Sequence, residues 1–352
     1  MKILVLGGTG TMGRPLVEIL SQNNSSRIFV TSRTRRNSTS ENVHYLQGDA
    51  HNLSFLSCII NESWDVIIDF MIYSVLEFRE RIDLILANTN QYIYISSARV
   101  YSNCDGLITE KTPRLLDINN DEKYVNSDEY AIIKAMQENI LFEHKNNNWT
   151  IIRPYITYNC NKFQLGVFQK EQWLYRALQN KTVVFPEDMG HKITSYTYAE
   201  DVALAISRII GNSKSFGESI HIANSEQLSW NEIIGIYKLT LEKIINCKMK
   251  MKMLEESKEL FDICNPYQII YDRLFDRKFC NKKLESIIGK FEYTSVEQGV
   301  IKALSAFIIN PIWDSYDARF DGWADKRTGE MINFRGVFSL KDVGFYFRHR
   351  FK

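Results

Sequence analysis

The chain has 352 residues, 45% of them hydrophobic and 24% charged, the profile of an ordinary globular protein with length for one large or two smaller domains. A net charge of +1 argues against a nucleic-acid partner. Six scattered cysteines (Cys58, Cys104, Cys160, Cys247, Cys264, Cys280) without a C-x-x-C pair exclude a disulfide framework or a zinc site, and read as reduced thiols of a cytoplasmic protein.

The first half alternates short apolar strands with helical patterns. "KILVLG" reads as strand and "MGRPLVEILSQN" as helix. "RIFVTS" and the shorter "VHYLQGD" are strands, and "LSFLSCIINES" is helix. "DVIIDFM" is strand, "VLEFRERIDLILAN" is helix and "QYIYISS" is strand. A helix beginning near Tyr130 follows, then "WTIIRPY" as strand. Continuous apolar strands separated by helices predict a doubly wound, Rossmann-type α/β fold whose parallel sheet is covered on both faces, with ligands at the carboxyl ends of the strands. The opening "MKILVLGG" is too short an apolar run for a signal peptide or a membrane span, and no transmembrane segment is expected. Beyond Arg153 the pattern loosens. "LGVFQKEQWLYRALQN", "AEDVALAISRIIG" and "SWNEIIGIYKLTLEKII" read as helices, with "KTVVFP" and "HKITSYTY" as strand-like pieces. The expected division is a dinucleotide-binding domain over 1–160 to which part of 190–225 returns, a smaller C-terminal substrate-binding lobe over 161–315, and a tail over 316–352.

Residues 7 to 13, "GGTGTMG", lie directly after the first strand and before the first helix. Gly7, Gly10 and Gly13 fit G-x-x-G-x-x-G, and Gly8, Gly10 and Gly13 fit G-x-G-x-x-G. Either way the glycines allow a tight turn and let the backbone approach a pyrophosphate at the helix N-terminus. Thr9, Thr11 and Met12 stand between them as further cofactor contacts. An NAD site usually carries an acidic residue at the end of the second strand, yet none occurs from Ile19 to Ser40. Ser32, Arg33, Arg35 and Arg36 stand there instead. Arginine suits a 2′-phosphate, so NADP is expected over NAD, although a solvated basic loop would look the same. Asp49 and Ala50 close the third strand, where Asp49 could accept from an adenine amino group. Phe70 and Met71 close the fourth. Both stretches also fit ordinary loop chemistry.

In "DEYAIIKAMQE" Tyr130 stands four residues before Lys134, so the two share a helix face. A neighbouring ammonium favours the phenolate and would lower the tyrosine pKa toward neutrality. Taken alone, the pair fits equally a surface tyrosine beside a surface lysine.

"GGTGTMG", "GDA", "YISSARVYS", "YAIIK" and "IIRPY" occur in the order that resembles the extended short-chain dehydrogenase/reductases, the NAD-dependent epimerase/dehydratase family acting mainly on nucleotide sugars. The resemblance implies a catalytic Ser97, Tyr130 as acid/base, and Lys134 lowering its pKa while holding the nicotinamide ribose. It also aligns Glu138 with a glutamate common one turn further on, and Pro154 with a cofactor contact. Family 4,6-dehydratases usually carry Asp-Glu after the catalytic residue. Here Ala98 and Arg99 stand there, and a permanently protonated Arg99 cannot act as a base. Ser97, Arg99 and Arg273 are the candidate substrate contacts, Arg273 and Arg277 as cations for a diphosphate. His191 reads as a loop residue. No metal is expected.

The resemblance thus implies an NADP-dependent reductase of a nucleotide-linked 4-keto-6-deoxyhexose, in deoxysugar synthesis for a lipopolysaccharide O-antigen or other surface polysaccharide. The alternatives are a nucleotide-sugar 4-epimerase with tightly bound NAD and a non-catalytic NADP-binding sensor or scaffold. A homodimer is expected through the helices at 75–88 and 128–145, with Leu76, Phe78, Ile140 and Phe142 at the contact. The tail from Asn333 combines Arg335, Lys341, Arg348, Arg350 and Lys352 with Phe334, Phe338, Phe345, Tyr346, Phe347 and Phe351. Packing on the second lobe or on a dimer partner is the expectation there, with a membrane surface as the alternative.

Overall fold

The computed structural model describes residues 1–38, 40–332 and 339–351, which form two compact units. The first comprises Met1–Thr157, Ser195–Ser225 and Phe279–Thr294, and is built on one sheet of seven strands. These are β1 (Lys2–Leu6), β2 (Arg27–Ser32), β3 (Val43–Gln47), β4 (Trp64–Asp69), β5 (Thr89–Ile95), β6 (Trp149–Pro154) and β7 (Glu218–Ile222). The spatial order is β7-β6-β5-β4-β1-β2-β3, and every neighbouring pair is parallel. The order reverses beside β1, the switch point where the carboxyl ends of a doubly wound sheet leave a crevice.

Alternate residues of each strand enter opposite faces. Ile3, Val5, Ile28, Val30 and Ile68 pack against Leu16 of α1 (Gly13–Ser21) and Val202 and Ile206 of a helix named below. Leu4, Leu6 and Ile67 pack against Leu56 of α2 (Leu53–Ile60), Phe78, Ile82 and Ile85 of α3 (Val75–Ala87) and Leu141 of α4 (Tyr130–Phe142). The helix that covers the first face late in the chain is α5 (Ala199–Ile209). Each such fully buried aliphatic side chain contributes about 1.5–3 kcal/mol. Local signals begin the helices. Asn52 accepts from Phe55 N ahead of α2, Ser74 and Glu77 form a capping box on α3, and Glu129 accepts from Ala131 N at the start of α4.

The structure departs from the sequence reading in several places. β7 has no strand signal of its own, because "ESIHI" mixes polar residues with apolar ones and only its parallel partner β6 identifies it. The helix expected from Leu165 begins at Lys170. Before it, Gln164–Leu165 and Phe168–Gln169 pair antiparallel around Gly166, whose φ of 59° is left-handed. Residues 279–294, expected in the substrate lobe, belong to the first unit. The outer faces of α3 and α4 also differ from expectation. Phe78 is 0% exposed and Ile140 7%, both core residues, whereas Leu76 is 73% and Phe142 45% exposed.

The second unit comprises Tyr158–Thr194, Glu226–Lys278 and Ser295–Lys352. It holds helices Lys170–Leu178, Trp230–Ile245, Val296–Ile309, Ala318–Thr328 and Leu340–Phe351, and a parallel pair of strands, Val183–Pro186 with Met251–Leu254. The tail is therefore part of this unit. Tyr346 is buried and donates to Asp325, which with Asp321 pairs with Arg176 and Lys181. Of the tail residues singled out above, Phe334, Arg335, Phe338 and Lys352 lie outside the described residues. Among the described residues no helix is long and apolar enough to cross a membrane.

Candidate functional site

The turn from β1 to α1 explains its glycines one at a time. Gly7 has a φ of 69° and donates its N–H to Thr31 Oγ1 at 3.0 Å. A Cβ at Gly8 would stand 2.8 Å from methyls of Val5 and Val30, and one at Gly13 2.6 Å from the Gly8 Cα. These three are demanded by the fold itself. Gly10 is different: a Cβ there would meet nothing nearer than the Gly7 carbonyl oxygen, at 3.7 Å. Its missing side chain leaves the backbone open for an outside group, the arrangement a dinucleotide pyrophosphate needs.

A cleft of about 310 Å³ opens beside this turn. Gly7, Thr9, Gly10, Ser32, Arg33, Asp49, Ala50, Phe70 and Met71, all expected cofactor contacts, line it, and Thr31, His51 and Ile72 join them. His51 escapes the sequence reading; its only signal there is its place after "GDA". Arg36 is exposed and donates through Nε to Ser32 Oγ at 3.2 Å, next to Arg33. Thr11 stays in the turn, Met12 packs on the core beneath it, and Pro154 is buried at the end of β6. The residues present fit a dinucleotide, with two guanidiniums and no carboxylate at the end of β2.

The carboxyl end of β5 leads to Ser97, whose hydroxyl accepts from Arg99 N at 3.2 Å and so shapes a short 3₁₀ turn, Ala98–Val100. Tyr130 is the first residue of α4 and half-buried, and the Ser97 hydroxyl lies where it favours the Tyr130 phenolate by hydrogen bonding. One turn on, Lys134 is 2% exposed. Its Nζ donates to Ile95 O at 2.8 Å and lies 4.7 Å from the Tyr94 ring centre and 5.8 Å from that of Tyr130. Ser97, Tyr130 and Lys134 thus converge in the unit that holds the cleft.

The electrostatics reverse one expectation. Burial raises the Tyr130 pKa above its ordinary value; the strongest opposing influence is the Arg99 cation, with Glu129 acting the other way. Lys134 is not the group that offsets burial. It is itself desolvated and pulled down to about 8, against the upward influence of Asp69 and Glu138. Arg99, expected to touch substrate, ion-pairs with the buried Glu129 and places its guanidinium carbon 5.5 Å from the Tyr130 ring centre. Glu129, missed in the sequence, thus caps α4 and holds the cation beside the tyrosine.

Glu138, fully buried, accepts from Ser96 Oγ at 2.6 Å and from Arg153 at 2.8 and 2.7 Å, and pairs with Arg114 at 3.2 Å. It ties α4 to β5 and β6, with the arginine of "IIRPY" as its main partner. Arg273, expected as an open cation for a diphosphate, is 2% exposed in the second unit. Its Nε donates to Gly166 O at 2.8 Å and it pairs with Asp272, as does Arg277 at 2.9 Å. Arg273 is therefore a buried cation engaged within the protein, not the open one expected. His191 is exposed at the end of a short helix, Glu187–Gly190. Among the described residues no cluster of three or more His, Cys, Asp or Glu side chains is placed to hold a metal.

Residues 3–223 match the NAD dependent epimerase/dehydratase family. Among curated proteins, the chloroplast stem-loop binding protein of 41 kDa b from Arabidopsis thaliana is 26% identical over 247 residues, 65% of this chain and 60% of that protein, so the chain spans less than two thirds of that relative's length. Solved structures of similar fold include dTDP-glucose 4,6-dehydratase from Bacillus anthracis in complex with NAD, at 18% identity and a TM-score of 0.68 over 89% of this chain and 98% of that one. UDP-glucuronic acid 4-epimerase from Bacillus cereus in complex with UDP-glucuronic acid and NAD is 17% identical, with a TM-score of 0.66 over 88% of this chain and all of that one.

Proposed function

Because this chain belongs to the NAD-dependent epimerase/dehydratase family, we propose that it is an NADP-dependent reductase of a nucleotide-linked 4-keto-6-deoxyhexose. The observation that carries the reading is the convergence of Ser97, Tyr130 and Lys134 in the unit that holds the glycine-turn cleft. A bound nicotinamide dinucleotide supplies the hydride. Tyr130 gives its proton to the carbonyl oxygen as the alcohol forms, and Ser97 orients that oxygen and stabilises charge developing on it. Arg99 steadies the phenolate left behind by facing the ring, and Lys134, one helical turn away, would hold the nicotinamide ribose. A 4,6-dehydratase would need acid/base groups where Ala98 and Arg99 stand.

NADP is supported by Ser32, Arg33 and Arg36 at the end of β2, although the two similar structures hold NAD. The alternative enzyme is a nucleotide-sugar 4-epimerase with retained NAD, using the same three side chains without net cofactor consumption. A cofactor-binding sensor or scaffold without turnover is a further reading; the Arabidopsis relative is named for binding a stem-loop and not for a reaction. The proposed setting is cytoplasmic synthesis of a deoxysugar for a bacterial surface polysaccharide, by a homodimer.

Mass spectrometry of the co-purified cofactor and NADPH oxidation with nucleotide 4-keto sugars test the proposal. Tyr130→Phe should lower turnover by on the order of 10²–10⁴ while leaving NADPH affinity nearly unchanged. Ser97→Ala should cost less. Near-native turnover in Tyr130→Phe would remove the acid/base assignment. Interconversion of C4 epimers with no NADPH consumed would select the epimerase, and tight NADPH binding with no turnover on any keto sugar would select the binding protein.

A further inference from the structure

His51 lines the glycine-turn cleft, and its side chain is 41% exposed. For a loop residue it is firmly held. Its N–H donates to Asp49 Oδ1 at 3.0 Å, and its carbonyl oxygen accepts from Arg81 Nη2 at 3.4 Å. Its Nδ1 lies 3.2 Å from Glu77 Oε1, and its ring stands edge-on to that of Tyr73, with centres 5.4 Å apart. The partners are anchored in turn. Glu77 Oε2 accepts from Ser74 N at 2.8 Å in the capping box of α3, and Arg81 and Tyr73 are buried.

A carboxylate accepts and does not donate. Beside the Nδ1 of a neutral imidazole it therefore selects the tautomer that carries its proton there. Nε2 is then an acceptor, and it has no hydrogen-bond partner among the described residues. The surroundings narrow what it would accept from. Ala50, Phe70, Met71 and Ile72 bring apolar side chains to the same cleft, and Ile72 is exposed. Apolar walls with a few fixed polar groups suit a flat heterocycle better than a phosphate. The Glu77 carboxylate beside the ring repels a phosphate as well, and the cations that would attract one, Arg33 and Arg36, stand at the end of β2. Of the parts of a nicotinamide dinucleotide, the adenine is flat, uncharged and carries a donor, its 6-amino group. Asp49, the acceptor expected for that group, has its Oδ1 engaged by the His51 N–H.

We infer that His51 is a specificity-determining residue of the dinucleotide cleft: oriented by Glu77, its Nε2 accepts a hydrogen bond from the adenine 6-amino group. The inference rests on the dinucleotide reading of the cleft given above. Glu77 then serves two purposes, one oxygen capping α3 and the other orienting the residue that reads the base. A base with an oxygen in place of the amino group is disfavoured, because it sets two acceptors against each other and leaves both unpaired.

Calorimetry tests this with whichever of NADPH and NADH binds more tightly, and with the hypoxanthine analogue of that cofactor, in which a carbonyl oxygen replaces the 6-amino group. The measurement is made at about pH 8.5, where an imidazole is uncharged. The wild type should bind the adenine cofactor about tenfold or more tighter than the analogue. His51→Leu should weaken the adenine cofactor by about tenfold and leave the analogue nearly unchanged, so that the preference disappears. His51→Gln, whose amide oxygen accepts, should keep part of the preference, and Glu77→Ala, which frees the ring, should narrow it. A His51→Leu protein that keeps the full preference overturns the inference; disappearance of the preference in Asp49→Ala would then assign the amino group to Asp49. Equal binding of cofactor and analogue by the wild type also overturns it. A wild-type protein that binds neither dinucleotide overturns the reading of the cleft itself. None of these results needs turnover.

Discussion

Removing the Lys134 ammonium should change stability in a pH-dependent way that no packing effect can imitate. Burial pulls this amine from an ordinary 10.5 to about 8. A base whose folded pKa is depressed destabilises the fold while charged. The cost is fully present below about pH 8, where folded and unfolded chains both carry the proton, and it vanishes above about pH 10.5. Between the two the unfolded chain binds more protons, so stability rises with pH. The displacement makes the cost ~3 kcal/mol at about pH 7 and ~1 kcal/mol at about pH 9.5. Lys134→Met lacks this cost at every pH. It also leaves the Ile95 carbonyl without its donor, a penalty of about 1–3 kcal/mol that does not titrate. The wild-type protein should therefore gain ~2 kcal/mol on Lys134→Met between about pH 7 and about pH 9.5. Urea unfolding of both proteins at both pH values measures it. A stability difference that stays constant across that interval would refute the desolvated-ammonium picture.

The glycines of the first turn should separate by function. Gly13→Ala places a methyl against the Gly8 backbone and should cost about 1–3 kcal/mol or more in a thermal melt, whereas Gly10→Ala should melt near the wild type and bind NADPH at least about tenfold more weakly by calorimetry. The reverse ranking would remove Gly10 from the cofactor site. Replacing Arg33 and Arg36 with Ala should weaken NADPH far more than NADH, since only the former carries a 2′-phosphate; equal losses, or a native preference for NADH, would count against NADP. Leu76→Glu combined with Phe142→Glu, both on exposed positions of α3 and α4, should convert a homodimer to a monomer in light scattering. A wild-type monomer at micromolar concentration would dismiss the dimer.

Much of the first unit is legible in the sequence because its signals are local. A left-handed φ at Gly7 and contacts under 3 Å from Gly8 and Gly13 are met only by glycine, so the turn shows in the letters themselves. Strand and helix periods mark β1 to β6 and α1 to α4, and a four-residue spacing places Tyr130 and Lys134 on one face. Other features depend on what arrives from elsewhere in the chain. Period alone could not say that Phe78 and Ile140 point inward while Leu76 and Phe142 point outward. Nor could it pair Arg99 with Glu129, set Arg273 against Asp272, or bring the Tyr92 hydroxyl to Asp69. The sign of the Tyr130 shift is the sharpest case. A neighbouring lysine argues for a lowered pKa, but desolvation grows with every atom packed around the ring and outweighs the groups that do lower it, Arg99 and Ser97. Backbone preference and periodicity are properties of short stretches and are written in sequence. Burial and the electrostatic field are sums over residues far apart in the chain, and only the tertiary structure decides them.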